Sequence, residues 1–209
     1  MEPGTVAVIA TAPEVPRNSD SDYPYRHDSY FYYLTGFTEP ESVLVLVAAR
    51  GEAPARAILF CREKNLEREI WDGFRHGPSA AREAFGFDEA YPVSELDAQM
   101  ACLLADVPAL YYATAHNAAL DAQVAGWLKA VRAKSRSGVT APSRTHHLLP
   151  LLDEMRLLKD DSEQVLMGRA ATIAGQARHV RVRARSRTAP RIPQERRPVP
   201  RLYPDRGLG

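Results

Sequence analysis

Short apolar runs separated by turn-forming residues characterise the first half of the chain. Residues 43–48 (VLVLVA) form an unbroken aliphatic run, the pattern of a strand buried on both faces of a sheet. Residues 5–10 and 109–112 are further short β-prone runs. Residues 57–61 (AILFC) follow the turn-prone residues 51–54, so this run is predicted to pair with residues 43–48 as its neighbour in the sheet.

Segments with helical periodicity alternate with these strands. Residues 78–85 and 94–105 are predicted helices, the second with Ser94 as its N-cap. Residues 118–133 form a third predicted helix, with an apolar face made by Leu120, Val124, Trp127, Leu128 and Val131. The alternation favours one layered α/β domain, which we place at residues 1–150.

A further helix is predicted after this domain. Asp160 is followed three residues later by Glu163, which is the pattern of a capping box. Apolar residues then recur at helical spacing, which predicts a helix over residues 161–177. Residues 151–177 are therefore interpreted as a linker and the first helix of a separate domain, and residues 178–209 as a disordered tail.

Charge divides the chain at the same place. The formal net charge is +1, yet residues 178–209 contain ten arginines against Glu195 and Asp205. Five prolines in this stretch exclude a continuous helix or a central strand. Two interpretations stand: out-of-frame translation of a GC-rich gene, or an arm that binds nucleic acid or another anionic surface.

Side chains with catalytic or metal-binding potential form no recognisable pattern. Cys61 and Cys102 lack the spacing of a zinc site and are predicted to be buried thiols. Asp20, Asp22 and Asp28 do not match a calcium loop and are interpreted as turn formers. We predict no catalytic and no metal-binding residue. The chain also lacks an apolar run of about 20 residues and a signal-peptide pattern, so a cytoplasmic location is expected.

Several long motifs, in order, carry a family resemblance. Residues 17–46 (RNSDSDYPYRHDSYFYYLTGFTEPESVLVL) are followed by residues 60–62 (FCR), 67–73 (EREIWDG), 110–113 (LYYA) and 153–160 (DEMRLLKD). The whole resembles the N-terminal domain of Xaa-Pro aminopeptidases (aminopeptidase P). The resemblance implies a fold of the creatinase and prolidase N-terminal type, a mixed sheet of about six strands flanked by helices, followed by a separate pita-bread catalytic domain.

The same resemblance implies a metallopeptidase that removes an N-terminal residue preceding proline. Its two manganese ions would be held in the catalytic domain, beyond the residues that match. We therefore expect a truncated member that binds no manganese and is inactive alone. Its domain would serve oligomerisation and substrate restriction, by self-association or by association with a full-length aminopeptidase. Proline-containing peptides would bind only to the full enzyme. The alternative is a basic-tailed scaffold or nucleic-acid-binding protein.

Three residues are candidates for a substrate rim on the basis of motif position. Trp71 resembles an aromatic residue that the family offers to the substrate pocket of a neighbouring subunit, and Arg75 and Tyr32 are weaker candidates. The alternative for Trp71 is a buried core position. The charged residues around it favour exposure, with Ile70 and Phe74 as core anchors and Trp127 as the buried tryptophan. The aromatic-rich residues 23–37 are interpreted as packing against the sheet and a subunit interface, with nucleobase stacking or the lining of a peptide groove as the alternatives.

Overall fold

A computed structural model describes residues 1–187, without the side chains of Asp72 and of residues 177–187. Residues 188–209 lie outside the described part. The chain divides into two compact units at Leu157/Leu158. The elements of the first unit are β1 (Val6–Ala10), β2 (Pro16–Asn18), β3 (Ser21–Asp22), α1 (Ser29–Thr35), β4 (Val43–Val47), β5 (Arg56–Cys61), α2 (Leu66–Asp72), α3 (Gly77–Phe85), β6 (Glu89–Pro92), α4 (Leu96–Leu103), β7 (Ala109–Tyr112), α5 (Ala118–Ala133), β8 (Arg144–His147) and α6 (Leu149–Leu157).

The central feature of this unit is a six-stranded mixed sheet in the order β6-β5-β4-β1-β7-β8. β4 pairs antiparallel with β1 on one side and with β5 on the other, and Val43 of β4 is in register with Phe60 of β5. β6 adds to β5 in parallel, β7 adds to β1 in parallel, and β8 adds to β7 in parallel. The predicted fold class is confirmed, including the pairing of residues 43–48 with residues 57–61.

Alternating side chains of the three central strands supply two separate hydrophobic cores. Val8, Val45 and Phe60 point to one face, where α4 and α5 cover them with Met100, Trp127 and other apolar residues. The opposite face carries Ile9, Leu44 and Leu59, which pack against Phe31 of α1, Ala81 of α3 and Leu152 of α6. Because strand side chains alternate in direction, one aliphatic run serves both cores.

The polar edge strands β6 and β8 were not predicted. β8 has the sequence RTHH and β6 the sequence EAYP, and neither has the apolar pattern of a strand because each lies at an edge of the sheet. The short helices α1 and α2 were also missed. The predicted N-cap Ser94 is wrong: a 3₁₀ turn at Val93–Glu95 precedes α4, and Glu95 occupies the cap without a side-chain hydrogen bond.

The second unit is described for one helix, α7 (Asp161–Arg187). The predicted capping box is present, since the Asp160 amide donates to Glu163 Oε2 at 2.9 Å and the Glu163 amide donates to Asp160 Oδ1 at 2.8 Å. The predicted end at residue 177 is wrong, because the helix continues to Arg187. Arginine and alanine are good helix formers, and the loss of apolar periodicity removes only a packing face.

The remaining sequence-based statements on this region stay predictions. The first compact unit reaches Leu157, whereas the predicted division into residues 1–150, 151–177 and 178–209 rests on patterning alone. The disorder predicted for residues 178–209 does not hold for residues 178–187, which continue α7. Residues 188–209 lie outside the described residues, and binding of the tail to an anionic surface stays a prediction. Within the described part, no helix has the length and hydropathy needed to cross a membrane.

Candidate functional site

The α2 segment, residues 64–77, includes α2 and carries Trp71, the first of the predicted rim residues. Trp71 is 85% exposed and Trp127 only 3%, so the predicted assignment of the exposed and buried tryptophans is confirmed. Ile70 and Phe74 were predicted as core anchors, which is wrong, because they are 78% and 63% exposed. α2 contributes to neither hydrophobic core, so its apolar side chains, including Leu66, have no layer above them.

Polar contacts hold this segment in place. Asn65 caps α2 by accepting a hydrogen bond from the Arg68 amide at 3.0 Å. Lys64 Nζ contacts Glu69 Oε1 at 2.6 Å and donates to the Arg75 carbonyl at 2.8 Å. Glu69 Oε1 also accepts from the Arg75 amide at 3.1 Å. The hydrogen bond from Lys64 is the main reason that the pKa of Glu69 lies below its ordinary value.

Backbone geometry at two glycines closes the segment at its ends. Gly73 ends α2 with a φ of 82°, and Gly77 begins α3 with a φ of 72°. A Cβ at Gly77 would come within 3.0 Å of the Lys64 backbone. The return of the chain beside Lys64 therefore requires glycine at this position, for its conformation and for its lack of a side chain.

A buried charged group lies at the base of the segment. Glu39 is 7% exposed, and its Oε1 accepts from the His76 amide at 2.7 Å and lies 2.6 Å from His76 Nδ1. Glu39 Oε2 lies 3.8 Å from Arg62 Nη2, and Arg62 is itself 6% exposed. The neighbouring Cys61 thiol is buried, which raises its pKa to about 12, with a smaller contribution from Glu39. The thiol therefore stays protonated at neutral pH and serves packing.

The α2 segment and Arg62 of this charged group border an open, polar depression of about 580 Å³. Its lining combines aromatic, cationic and acidic side chains: Glu14, Asp22, Tyr23, Tyr25, Glu41, Arg62, Asn65, Arg68, Trp71 and Arg75. Trp71 and Arg75 are thus brought to one site. Tyr32 is not among the lining residues, and its ring stacks on His27 with 4.3 Å between the ring centroids. The sequence-predicted rim is therefore divided between two places.

A second cavity, of about 300 Å³, lies beyond the carboxyl ends of β1 and β7. Its walls are mainly apolar, and several of its polar groups bond within the protein. Thr11 Oγ1 and the Tyr25 hydroxyl are 2.8 Å apart, Asp28 caps α1, and Asn117 caps α5. The cavity resembles the crevices at which α/β sheets bind ligands. Its lining includes no arginine, in contrast to that of the polar depression.

Metal-binding and thiol chemistry have little support in the described residues. These residues include no group of three or more His, Cys, Asp or Glu side chains that could hold a metal ion. The manganese implied by the resemblance therefore has no ligand set among them. Cys61 is buried as predicted, but Cys102 is exposed, because it lies on the outer side of α4 while Met100 faces the core.

Sequence patterns did not reveal the charged base of the depression. Arg62 belongs to a quoted family motif and Glu39 to another, but neither was singled out. Charged residues are almost never fully buried unless they are paired, so a burial pattern in the sequence does not include them. The pairing of His76 with Glu39 left no sequence pattern either, because it spans 37 positions of the chain.

The comparisons with known proteins agree with this architecture. The family model described as "Aminopeptidase P, N-terminal domain" matches residues 1–111. This chain belongs to the aminopeptidase P family. Xaa-Pro aminopeptidase of Escherichia coli is 41% identical over 187 residues, which cover 90% of the chain and 42% of that protein. Xaa-Pro aminopeptidase 3 of Homo sapiens is 31% identical over 174 residues, covering 81% of the chain and 33% of that protein.

A solved structure of the low-pH form of E. coli aminopeptidase P matches with a TM-score of 0.81 and 41% identity. The match covers 85% of this chain and 40% of that structure. The chain thus spans about two fifths of the length of this relative, the part that includes the aminopeptidase P N-terminal domain.

Proposed function

We propose that this chain is the domain of an Xaa-Pro aminopeptidase that associates subunits and restricts the substrates of a neighbouring active site. The observation that carries the proposal is the 85% exposure of Trp71 on a helix fixed by capping and ion-pair contacts. An exposed aromatic side chain leaves apolar surface in contact with water in the free monomer, which is unfavourable, and it does not stabilise the core. A contact with another molecule would remove that surface from water.

The side chains around Trp71 support an association surface. Leu66, Ile70 and Phe74 are also largely exposed, so α2 and the residue after its C-cap present several apolar groups together. Contiguous exposed apolar groups mark interaction sites, and aromatic residues are enriched at their centres. Arg75, beside Trp71 in the depression, would lie at the edge of a substrate path formed with the neighbour. Tyr32 would act from its separate position.

Peptide cleavage is not assigned to residues of this chain. The absence of a metal-ligand group within the described residues supports placing metal-dependent hydrolysis elsewhere in the assembly. The partners in this proposal are other copies of the chain or a full-length aminopeptidase. Proline-containing peptides would be bound by the assembly, in the cytoplasmic location that the sequence predicts.

Sedimentation velocity tests the association directly. We expect the chain to self-associate at concentrations up to about 100 µM, and Trp71→Ala to weaken association by about tenfold or more, as loss of a central aromatic contact does. Met155→Ala is the matched control, since it removes an apolar side chain that is 55% exposed on α6. A concentration-independent monomer that also forms no mixed assembly with E. coli Xaa-Pro aminopeptidase would overturn the proposal.

Substrate restriction has a separate test in the mixed assembly. The E. coli enzyme is incubated with excess chain, and its hydrolysis of short and long Xaa-Pro peptides is compared. We expect the mixed assembly to change the preference for peptide length, and Trp71→Ala to reduce that change. Equal preferences with wild-type and Trp71→Ala chains, in assemblies shown to form equally, would remove Trp71 from the restricting role.

A further inference from the structure

The Arg62 guanidinium is an exception to the usual pairing of buried charge. It is 6% exposed, and its one charged neighbour in the described part of the chain is Glu39, with 3.8 Å between Nη2 and Oε2. Both Arg62 Nε and Glu39 Oε2 are buried without a hydrogen-bond partner. A guanidinium has five N–H donors, and burial of donors that remain unpaired costs free energy. Such an unsatisfied group indicates a missing partner.

The position of Arg62 shows where that partner would enter. Arg62 follows directly after β5 and lines the polar depression under α2. Two other arginines line the same depression, Arg75, which is half-buried, and Arg68, which is exposed. Cationic groups therefore lie both at the base and along the α2 side of the space.

The acidic residues of the depression are arranged differently. Glu14, Asp22 and Glu41 line it as well, and all three are exposed. The buried side chain that lines the depression is thus a cation, Arg62, with Glu39 as its ion-pair neighbour, while the rim includes negative charge. A ligand with an anionic group at one end and a cationic group at the other would match both parts, whereas a doubly charged phosphate would be repelled by the rim.

We propose that this depression binds the free carboxylate of a short peptide, with Arg62 as the principal carboxylate-binding residue. The planar guanidinium matches the two oxygens of a carboxylate, and a desolvated pair of this kind is strong. Arg75 adds positive charge, the acidic rim accepts the peptide ammonium group, and Trp71 and Tyr23 offer apolar walls. Glu39 lies within ion-pair distance of Arg62 and opposes its charge.

This peptide site goes beyond subunit association and does not depend on it. The residues that form the base of the depression belong to a single chain, and Arg62 and Glu39 are buried in that chain alone. Binding can therefore be measured on the monomer, at concentrations below those at which association is detected. Failure of peptide binding would leave the association function untouched, and the reverse also holds.

The test is a titration of the chain followed by two-dimensional NMR, with trialanine, its C-terminal amide, its N-acetyl form and inorganic phosphate as probes. We expect trialanine to bind about tenfold or more tightly than the amide, because the amide cannot form charge-assisted bonds with Arg62. The N-acetyl form should bind more weakly than trialanine by a smaller factor, since its lost contacts are at the solvated rim.

Variants connect the binding to Arg62. Arg62→Met should abolish the preference for the acid over the amide, while the matched control Arg56→Met, at the other end of β5, should retain it. Circular dichroism checks the fold of each variant. Arg62→Lys is the second variant if Arg62→Met does not fold, and it should weaken trialanine binding because lysine lacks the planar pair of donors.

Four results would overturn the proposal: equal affinities for trialanine and its amide, no shift at up to about 10 mM trialanine, unchanged binding in a folded Arg62→Met variant, or tighter binding of phosphate than of trialanine. Because the first, second and fourth use the wild-type chain, the proposal stays testable even if both variants at Arg62 are unstable.

Discussion

The central sheet and the α2 segment show two different ways to stabilise a structure. Phe60 in β5 is fully buried between strands and helices, and Phe74 beside α2 is 63% exposed. The sheet is held by apolar burial on both faces. The α2 segment is held by a cap, an ion pair and the buried carboxylate of Glu39, while its apolar groups face outward. Polar bonds can therefore fix a segment whose apolar side chains remain exposed.

The largest expected effect compares these two phenylalanines. Phe60→Ala should lower the free energy of unfolding by about 3–5 kcal/mol, because it leaves a cavity in a closely packed core. Phe74→Ala should cost less than about 1 kcal/mol, the scale of its exposed contact with Lys64, whose Nζ lies 4.1 Å from the ring centroid. Urea unfolding of both variants measures the difference, and similar losses would refute the contrast between the regions.

The buried charge should give the next largest effect. Glu39→Gln removes the carboxylate that faces Arg62 and His76, at an expected cost of about 1–3 kcal/mol. Glu41→Gln, two residues away and exposed, is the matched control and should change stability by less than about 0.5 kcal/mol. Denaturant unfolding of the pair provides the measurement. Equal stability of the two variants would mean that Glu39 contributes no net stabilisation.

Removal of a helix cap should destabilise only the local helix in the α2 segment but the whole domain in α5. Asn65→Ala and Asn117→Ala each remove a side-chain cap worth about 1 kcal/mol. Hydrogen exchange should show the first loss within α2 alone, since α2 contributes to neither core. The second should lower global stability, because α5 packs on the sheet. A global loss from Asn65→Ala would show that the segment is part of the cooperative unit.

Tryptophan quenching examines the exposure of the segment without altering stability. In a Trp127→Phe variant, acrylamide should quench Trp71 efficiently. In a Trp71→Phe variant, the remaining Trp127 should be shielded, since it is 3% exposed and donates to Asp97 at 2.7 Å. Measurements are made at concentrations where the chain is monomeric. A shielded Trp71 in that sample would contradict its role at a neighbour's substrate pocket.

The smallest expected effect is a loosening of the segment in acid. The lowered pKa of Glu69 means that its stabilising contribution is present above its ordinary pKa and is lost as the pH falls through the folded-state value. NMR signals of α2 should therefore shift at acidic pH. In Lys64→Met, which lacks the main cause of the lowered pKa, the shift should move to higher pH. An unchanged midpoint would exclude the ion pair as the cause.

Much of the fold was predictable because its central strands are uniformly apolar. The run at residues 43–48 indicates a strand buried on both faces, and β4 is such a strand. The capping box at Asp160 and Glu163 was equally clear, because both partners lie within one helical turn. The edge strand β8 was not predictable, because an edge position imposes no apolar pattern on residues such as Thr145.

The candidate site was predictable only in part. Family motifs and the charged surroundings of Trp71 predicted its exposure, but the same reasoning wrongly placed Ile70 and Phe74 in the core. Whether an apolar side chain on a short helix is covered depends on which elements lie above it. That arrangement is set by long-range contacts and leaves no local trace.

The sequence by itself determined the alternating α/β order and the family. Local periodicity indicates each element, and the order of the motifs along the chain indicates the family. Only the tertiary structure decided that Glu39 meets both Arg62 and His76, and that Arg62 lines one depression with Trp71. Their contacts join residues from separate elements, and a buried charge is tolerated only where such distant partners converge. That convergence belongs to the folded chain, and with it the depression in which a ligand could complete the bonding of Arg62.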